Sequence, residues 1–188
     1  MNKVLISVLG NDQPGILATV ATIINQRQGN IENVSQTLLH TVFAAILLVD
    51  VPHEESPEKL QQALCEAGAS MALNISVYPW DNQTSDWHDH TPETQPYIIS
   101  AIGPDRQGLV ANVANQLYKH GVNISNLQAI FKGGKNPMEN VMVFEIDVPR
   151  ATNMDQLREA LAEIASRLDL EISVQHRKIF ESVSNILT

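Results

Sequence analysis

The sequence predicts an α+β protein in which one βαββαβ unit is used twice, and three observations support this. Residues Leu5 to Asn33 return as Ile98 to Asn126. Under a shift equal to the distance from Gly10 to Gly103, Ser7, Gly10, Asp12, Gly15, Ala18, Val20, Ala21, Asn30, Ile31 and Asn33 meet identical residues at Ser100, Gly103, Asp105, Gly108, Ala111, Val113, Ala114, Asn123, Ile124 and Asn126. Each half also reads strand, helix, strand, strand, helix, strand from its hydrophobic periodicity. Between the halves, Pro79 to Pro96 is polar, acidic and proline-flanked, the composition of a linker. A repeat this long exceeds the roughly 20–50 residues of a solenoid unit. It is a small domain, duplicated.

In the first half, Val4 to Leu9 is an apolar run of strand length ending at Gly10. Ile16, Leu17, Val20, Ala21, Ile23 and Ile24 share a helical stripe that Gly29 stops. Strands follow at about Ile31 to Leu39 and Phe43 to Val51, with His40-Thr41 at the turn. Ser56-Pro57 is a cap followed by a first-turn proline, and Leu60, Ala63, Leu64 and Ala67 then recur at helical spacing. Ala72 to Tyr78 closes the unit. The second half repeats the order: Tyr97 to Ile102, the helix stripe Leu109 to Leu117 before Gly121, Ile124 to Phe131, Val141 to Val148, the stripe Leu157 to Leu168, and Leu170 to Gln175. Val141 to Val148 alternates between apolar and partly wet faces, whereas Phe43 to Val51 is apolar on both. The latter predicts a sheet surface covered by the other half or by a partner. The expected organisation is a first domain at 1–79, a linker at 80–96, and a second domain at 97–188. The second domain includes a short terminal helix on Ile179, Val183, Ile186 and Leu187. Each domain has the antiparallel sheet with helices on one face that defines a ferredoxin-like unit.

A formal net charge of −9 with no block of Lys or Arg argues against a direct grip on nucleic-acid phosphate. Cys65 is alone, which rules out an internal disulfide and points to a reducing compartment. Val4 to Leu9 is too short for a signal peptide and no stretch approaches a membrane span, so a cytoplasmic protein is expected.

The first loop, Gly10-Asn11-Asp12-Gln13-Pro14-Gly15, leads from a strand end into a helix N-terminus. Unpaired N–H groups and the helix dipole there favour a carboxylate or phosphate, and glycines permit close approach to the backbone. The alternative is structural: Asp12 caps the helix and the glycines make the turn. The loop recurs as Gly103-Pro104-Asp105-Arg106-Gln107-Gly108.

At these residues the chain resembles the ACT domain, a regulatory module that binds amino acids. The resemblance rests on Gly10 to Leu17 with Asn30-Ile31, and on Gly103 to Val110 with Asn123-Ile124. Two copies with nothing else attached resemble the glycine cleavage system transcriptional repressor family. That resemblance implies a ligand held between the first loop of one module and the start of the second strand of a neighbour. The residues it implicates are Gly10, Asn11, Asp12, Gly15, Asn30 and Ile31, with Gly103, Asp105, Gly108, Asn123 and Ile124 in the second copy. Asn30 and Asn123 have an alternative role as turn residues after a helix. Pro104 replaces Asn11 and Arg106-Gln107 replaces Gln13-Pro14, so unequal binding by the two copies is expected. For glycine, with five heavy atoms, a ceiling of about 1.5 kcal/mol per atom limits affinity to low micromolar.

The resemblance thus implies a non-enzymatic regulator that needs no cofactor. It would sense glycine or a similar small amino acid and act through a protein partner such as a transcriptional activator. It would touch neither nucleic acid nor membrane and would form a homo-oligomer. A ligand bridging two modules would shift their arrangement and so a partner's surface. The alternative is a ligand-independent interaction module that controls an enzyme or assembles subunits. A third class, a small acylphosphatase-like enzyme, requires an arginine beside a phosphate-cradling loop. The first copy has none there, and Arg106 lacks the glycine-rich surroundings.

Other groupings are weaker. Asp86, His88, Asp89 and His90 fall in the polar linker and read as solvated rather than metal-binding. His40, His53, His120 and His176 show no ligand spacing. Lys132-Gly133-Gly134-Lys135 reads as a hairpin and Cys65 as a packing residue. No catalytic residue or metal ligand is expected.

Overall fold

A computed structural model describes residues 2–80, 93–130 and 140–178. The strands of the first unit are β1 (Asn2–Asn11), β2 (Asn30–Leu39), β3 (Val42–Val51) and β4 (Asn74–Pro79), with helices α1 (Ile16–Gln26) and α2 (Pro57–Gly68). The second comprises β5 (Thr94–Gly103), α3 (Leu109–Lys119), β6 (Asn123–Ile130), β7 (Asn140–Pro149), α4 (Met154–Leu168) and β8 (Glu171–His176). The sheets have the order β2-β3-β1-β4 and β6-β7-β5-β8, and every neighbouring pair is antiparallel. The expected α+β class, two antiparallel sheets each with its helices on one face, is therefore what the chain adopts. Asp86, His88, Asp89 and His90, the Lys132–Lys135 segment expected as a hairpin, and the terminal stripe from Ile179 lie outside the described residues.

Alternation along the central strands decides which sheet face meets the helices. Val4, Ile6 and Val8 of β1 and Phe43, Ala45, Leu47, Val49 and Val51 of β3 pack with Ile16, Val20, Ile24, Leu60 and Leu64. Ile99, Ala101, Met142, Phe144 and Ile146 pack likewise with Val113, Leu117, Leu157 and Leu161 in a second, separate core. Cys65 packs against the first core, its thiol donating to the Ile75 carbonyl. No described helix is long and apolar enough to cross a membrane.

The ends of elements depart from the expectations in instructive ways. Gly29 does not turn the chain out of α1. Gln28 does, at φ 57, while a Cβ on Gly29 would meet Ile24 Cγ2 at 2.9 Å. In the second unit Gly121 itself takes the left-handed conformation, at φ 67. A β-carbon in that region is strained, so Gln28→Gly is expected to stabilise the first unit by about 0.5 kcal/mol, net of the entropy glycine adds to the unfolded chain. Urea denaturation would measure it. β4 starts at Asn74 rather than Ala72, because α2 runs into a 3-10 turn (Ala69–Met71) and Ala72 is left-handed at φ 52. Asp169, left-handed at φ 59, delays β8 to Glu171 in the same way. β5 opens at Thr94, ahead of the expected Tyr97. Pro96 is accommodated where β7 is the only strand paired with β5, an edge position that proline tolerates.

The outer edges of the sheets are treated unequally. On β4, the Val77 N–H donates to Gln61 Oε1 of α2 at 2.9 Å. At the matching place on β8, Arg158 Nη1 of α4 donates to the Val174 carbonyl at 3.3 Å. Helix side chains thus occupy backbone groups that would otherwise invite an added strand.

Candidate functional site

Both candidate loops end on a left-handed glycine, Gly15 at φ 99 and Gly108 at φ 84, which starts the following helix. Neither α1 nor α3 receives a side-chain cap, and neither has an acidic residue in its first turn. The other two helices differ on both counts. Ser56 accepts from the Lys59 N–H at the start of α2, and Asn153 accepts from Asp155 and Gln156 at the start of α4. Glu58 and Asp155 occupy their first turns. Asp12 therefore does not cap α1. Its backbone N–H instead donates to the Thr41 carbonyl at 2.8 Å, tying the loop to the β2–β3 turn. The positive ends of α1 and α3 thus have neither a side-chain cap nor a first-turn carboxylate, and a small anion is suited to such an end.

Gly10 and Gly103 are needed for packing inside the protein rather than for approach from outside. A Cβ on Gly10 would lie 2.7 Å from Leu73 Cδ2, and one on Gly103 would lie 2.7 Å from the Asp169 carbonyl oxygen and 2.8 Å from Leu170 Cδ2. The left-handed residues Ala72 and Asp169 fold these leucines against the loops. The second loop is further braced. Asn112 Nδ2 donates to the Gly108 carbonyl at 2.8 Å, Arg167 Nη2 donates to Asn112 Oδ1 at 2.5 Å, and Arg106 lies 3.6 Å from Asp169. In the first loop Gln13 Nε2 reaches the Met71 carbonyl at 3.2 Å. The two loops therefore differ chemically, as the Pro104 and Arg106 replacements imply.

Asn30 and Asn123 lie far from the loop of their own unit. Asn30 pairs with Asp50, which pairs with Lys3, whereas Gly10 pairs with Phe43 at the other end of β1. Seven residues of strand separate Lys3 from Gly10, or about 23 Å. In the second unit Asn123 pairs with Asp147, opposite Pro96, again seven residues from Gly103. Ile31 and Ile124 turn their side chains to the cores, leaving only backbone groups at those positions. Each unit thus holds the two halves of the expected site at opposite ends of its sheet.

A register shift follows each Asn-Ile pair, between Ile31 and Asn33 and between Ile124 and Asn126. The bulge re-aims Glu32 so that Lys3 Nζ donates to its Oε2 at 2.6 Å. Sequence reasoning did not find this charged group; the repeated Asn-Ile-x-Asn, which carries the bulge, was its only trace. Lys3 first, and then hydrogen bonding with Asp50, holds the Glu32 carboxyl below its ordinary 4.5, while Glu32 raises the Lys3 ammonium above its ordinary 10.5. A lowered carboxyl supports the fold above its unfolded value and loses that support as pH falls through the folded one. A raised ammonium supports it below its unfolded value and loses that support as pH rises. The pair therefore supports the first unit across the neutral range between those values. In Lys3→Met, NMR titration should find the Glu32 carboxyl moved up toward 4.5. In the second unit Pro96 and Ser125 stand in place of Lys3 and Glu32, so that end lacks both charges. Among the described residues, no three His, Cys, Asp or Glu side chains gather as a metal site.

The model of a family described as the ACT domain matches residues 2–78 and 95–175. A UPF0237 protein of Methanopyrus kandleri is 35% identical over 78 residues, covering 41% of this chain and 87% of that protein. A UPF0237 protein of Neisseria meningitidis serogroup B is 36% identical over 78 residues, with the same coverage of each chain. These relatives correspond to a single module. Over both modules, the crystal structure of an unknown protein from Galdieria sulphuraria superposes with a TM-score of 0.73 at 22% identity, covering 93% of this chain and 98% of that one. A structure described as a candidate glycine cleavage system transcriptional repressor superposes with a TM-score of 0.65 at 17% identity, covering 93% and 96%. At these identities the likeness is one of fold.

Proposed function

Because this chain belongs to the ACT domain family, with one module in each half, we propose that it is a non-catalytic regulatory protein whose α1 and α3 N-termini seat the carboxylate of a small amino acid. One observation supports this above the others. The two helices that follow the repeated Gly-x-Asp loops lack both a side-chain cap and a first-turn acid, and the two helices elsewhere have both. Four free N–H groups and a positive dipole end suit a carboxylate. Asn30 or Asn123 would accept from the ammonium group.

The separation of those halves within a unit requires a neighbour. β2 runs parallel to β1, so its Asn30 end and the Gly10–Gly15 loop lie at opposite ends. Antiparallel pairing of β2 with the β2 of a second chain would bring Asn30 of one module beside the loop of the other. The outer edges of β4 and β8, already engaged by Gln61 and Arg158, are the unsuitable ones. The amino acid would then act as a clamp between modules, and a protein partner would read the change in arrangement. Glycine as the ligand, and repression of glycine cleavage as the output, are the finer form of this proposal. The fold likeness to the candidate repressor supports them.

Isothermal titration of the full chain against the common amino acids is the test. Heat is expected with glycine or a similarly small amino acid, at low micromolar affinity or weaker. Asn30→Ala or Asn123→Ala should weaken binding at least tenfold at the neighbouring loop whose site that asparagine completes. No heat with any amino acid would remove the proposal. It would favour a ligand-independent interaction module, a second reading to which the exposed apolar face of the first sheet lends weight.

A further inference from the structure

We propose that the open face of the first sheet, the one turned away from α1 and α2, is packed in solution against the same face of a second copy of this chain. The duplicated modules provide an internal comparison. Across the first sheet, one row reads Tyr78, Leu5, Leu48 and Asn33, and the next reads Ser76, Ser7, Ile46 and Ser35. The matching rows of the second sheet read Gln175, Ile98, Glu145 and Asn126, then Ser173, Ser100, Val143 and Gln128. Glu145 there is paired with Arg177 and accepts from Asn126, while the Ser100 and Ser173 hydroxyls bond at 2.7 Å. The centre of the second face is thus polar and internally bonded, and its exposed apolar side chains, Ile102 at 41% and Ile130 at 60%, stand in the row at one end. The first leaves Leu9 48%, Ile46 53% and Tyr78 55% exposed.

Shape and area favour a second copy as the occupant. An isologous interface needs one patch that carries both a projection and a recess. Here the projecting Ile46 and Leu9 border a groove of about 340 Å³ floored by the smaller Ser7, Ser35, Thr37 and Ala44. Three strands about 33 Å long and a fourth about 20 Å long, at about 4.8 Å spacing, present on the order of 600 Å² per copy. Two such faces bury roughly 1,200 Å², the lower bound for a specific interface. Among the described residues of this face, the charges Lys3, Glu32 and Asp50 collect at one end, with Lys3 and Glu32 already paired, so the centre takes no unpaired charge into the contact. Each copy carries −9, so added salt should strengthen the association by screening repulsion.

This contact does not rest on the amino-acid proposal, and sedimentation velocity of the full chain separates the two. Without amino acid, the wild type should sediment as a dimer at micromolar concentration, more completely at higher salt. Ile46→Asp, and the strand-compatible Ile46→Thr, should weaken association at least tenfold with unchanged circular dichroism. Ile130→Asp, at an equally exposed position (60%) on the second sheet, should leave it intact. A wild type that stays monomeric at every concentration would overturn the proposal. So would Ile46 variants that dimerise like the wild type, which would place the contact on an edge strand, or dimerisation that appears only with amino acid added.

Discussion

Replacing Phe144 with alanine is expected to remove about 3–5 kcal/mol from the second unit, a large share of the roughly 5–15 kcal/mol a domain has. Phe144 is fully buried at the centre of β7, in a core shared with Val113, Leu117, Leu157 and Leu161. Among the described residues, none of the first unit belongs to that core. Hydrogen exchange should therefore show β5 to β8 losing protection while β1 to β4 keep theirs. Simultaneous loss in both would show that the two cores unfold as one. Leu47, which holds the matching position in β3, is the reciprocal test, with about 2–5 kcal/mol expected for Leu47→Ala.

Gly103→Ala should cost about 2–3 kcal/mol, and Gly10→Ala measurably less, although the two glycines match in the repeat. The added Cβ at Gly103 meets a backbone oxygen, Asp169 O at 2.7 Å, which moves only with the left-handed turn that ends α4. At Gly10 it meets the far end of the Leu73 side chain, which can rotate aside. Thermal unfolding of the two single variants would measure the difference. Equal costs would mean that the turn at Asp169 yields as readily as a leucine rotamer. Because α3 starts six residues after Gly103, the same variant should also weaken any carboxylate seated there.

Much of this architecture was legible in the chain. The stripes of α1 through α4, the Ser56 cap and the alternation in β7 are local signals, set by the 3.6- and 2-residue periods and by side chains that bond their own backbone. What was missed involves residues distant in sequence. Gly10 looked like a loop glycine because nothing nearby marks Leu73 as the side chain that fills its place. Gln28 hid because a left-handed glutamine carries no compositional signature, and the adjacent Gly29 drew the assignment. The Lys3–Glu32 pair depends on a bulge that shifts register by one residue. The candidate site divides the same way: the residues of each half were readable as motifs, but that they stand about 23 Å apart within one unit was not.

Duplication, element order and the side of each strand that turns inward follow from the sequence itself, because hydrophobic period and turn chemistry act over a few residues. Which helix ends stay uncapped and which sheet edges helix side chains occupy were decided only in three dimensions. Those properties belong to groups brought together from distant parts of the chain, and no local pattern records their meeting.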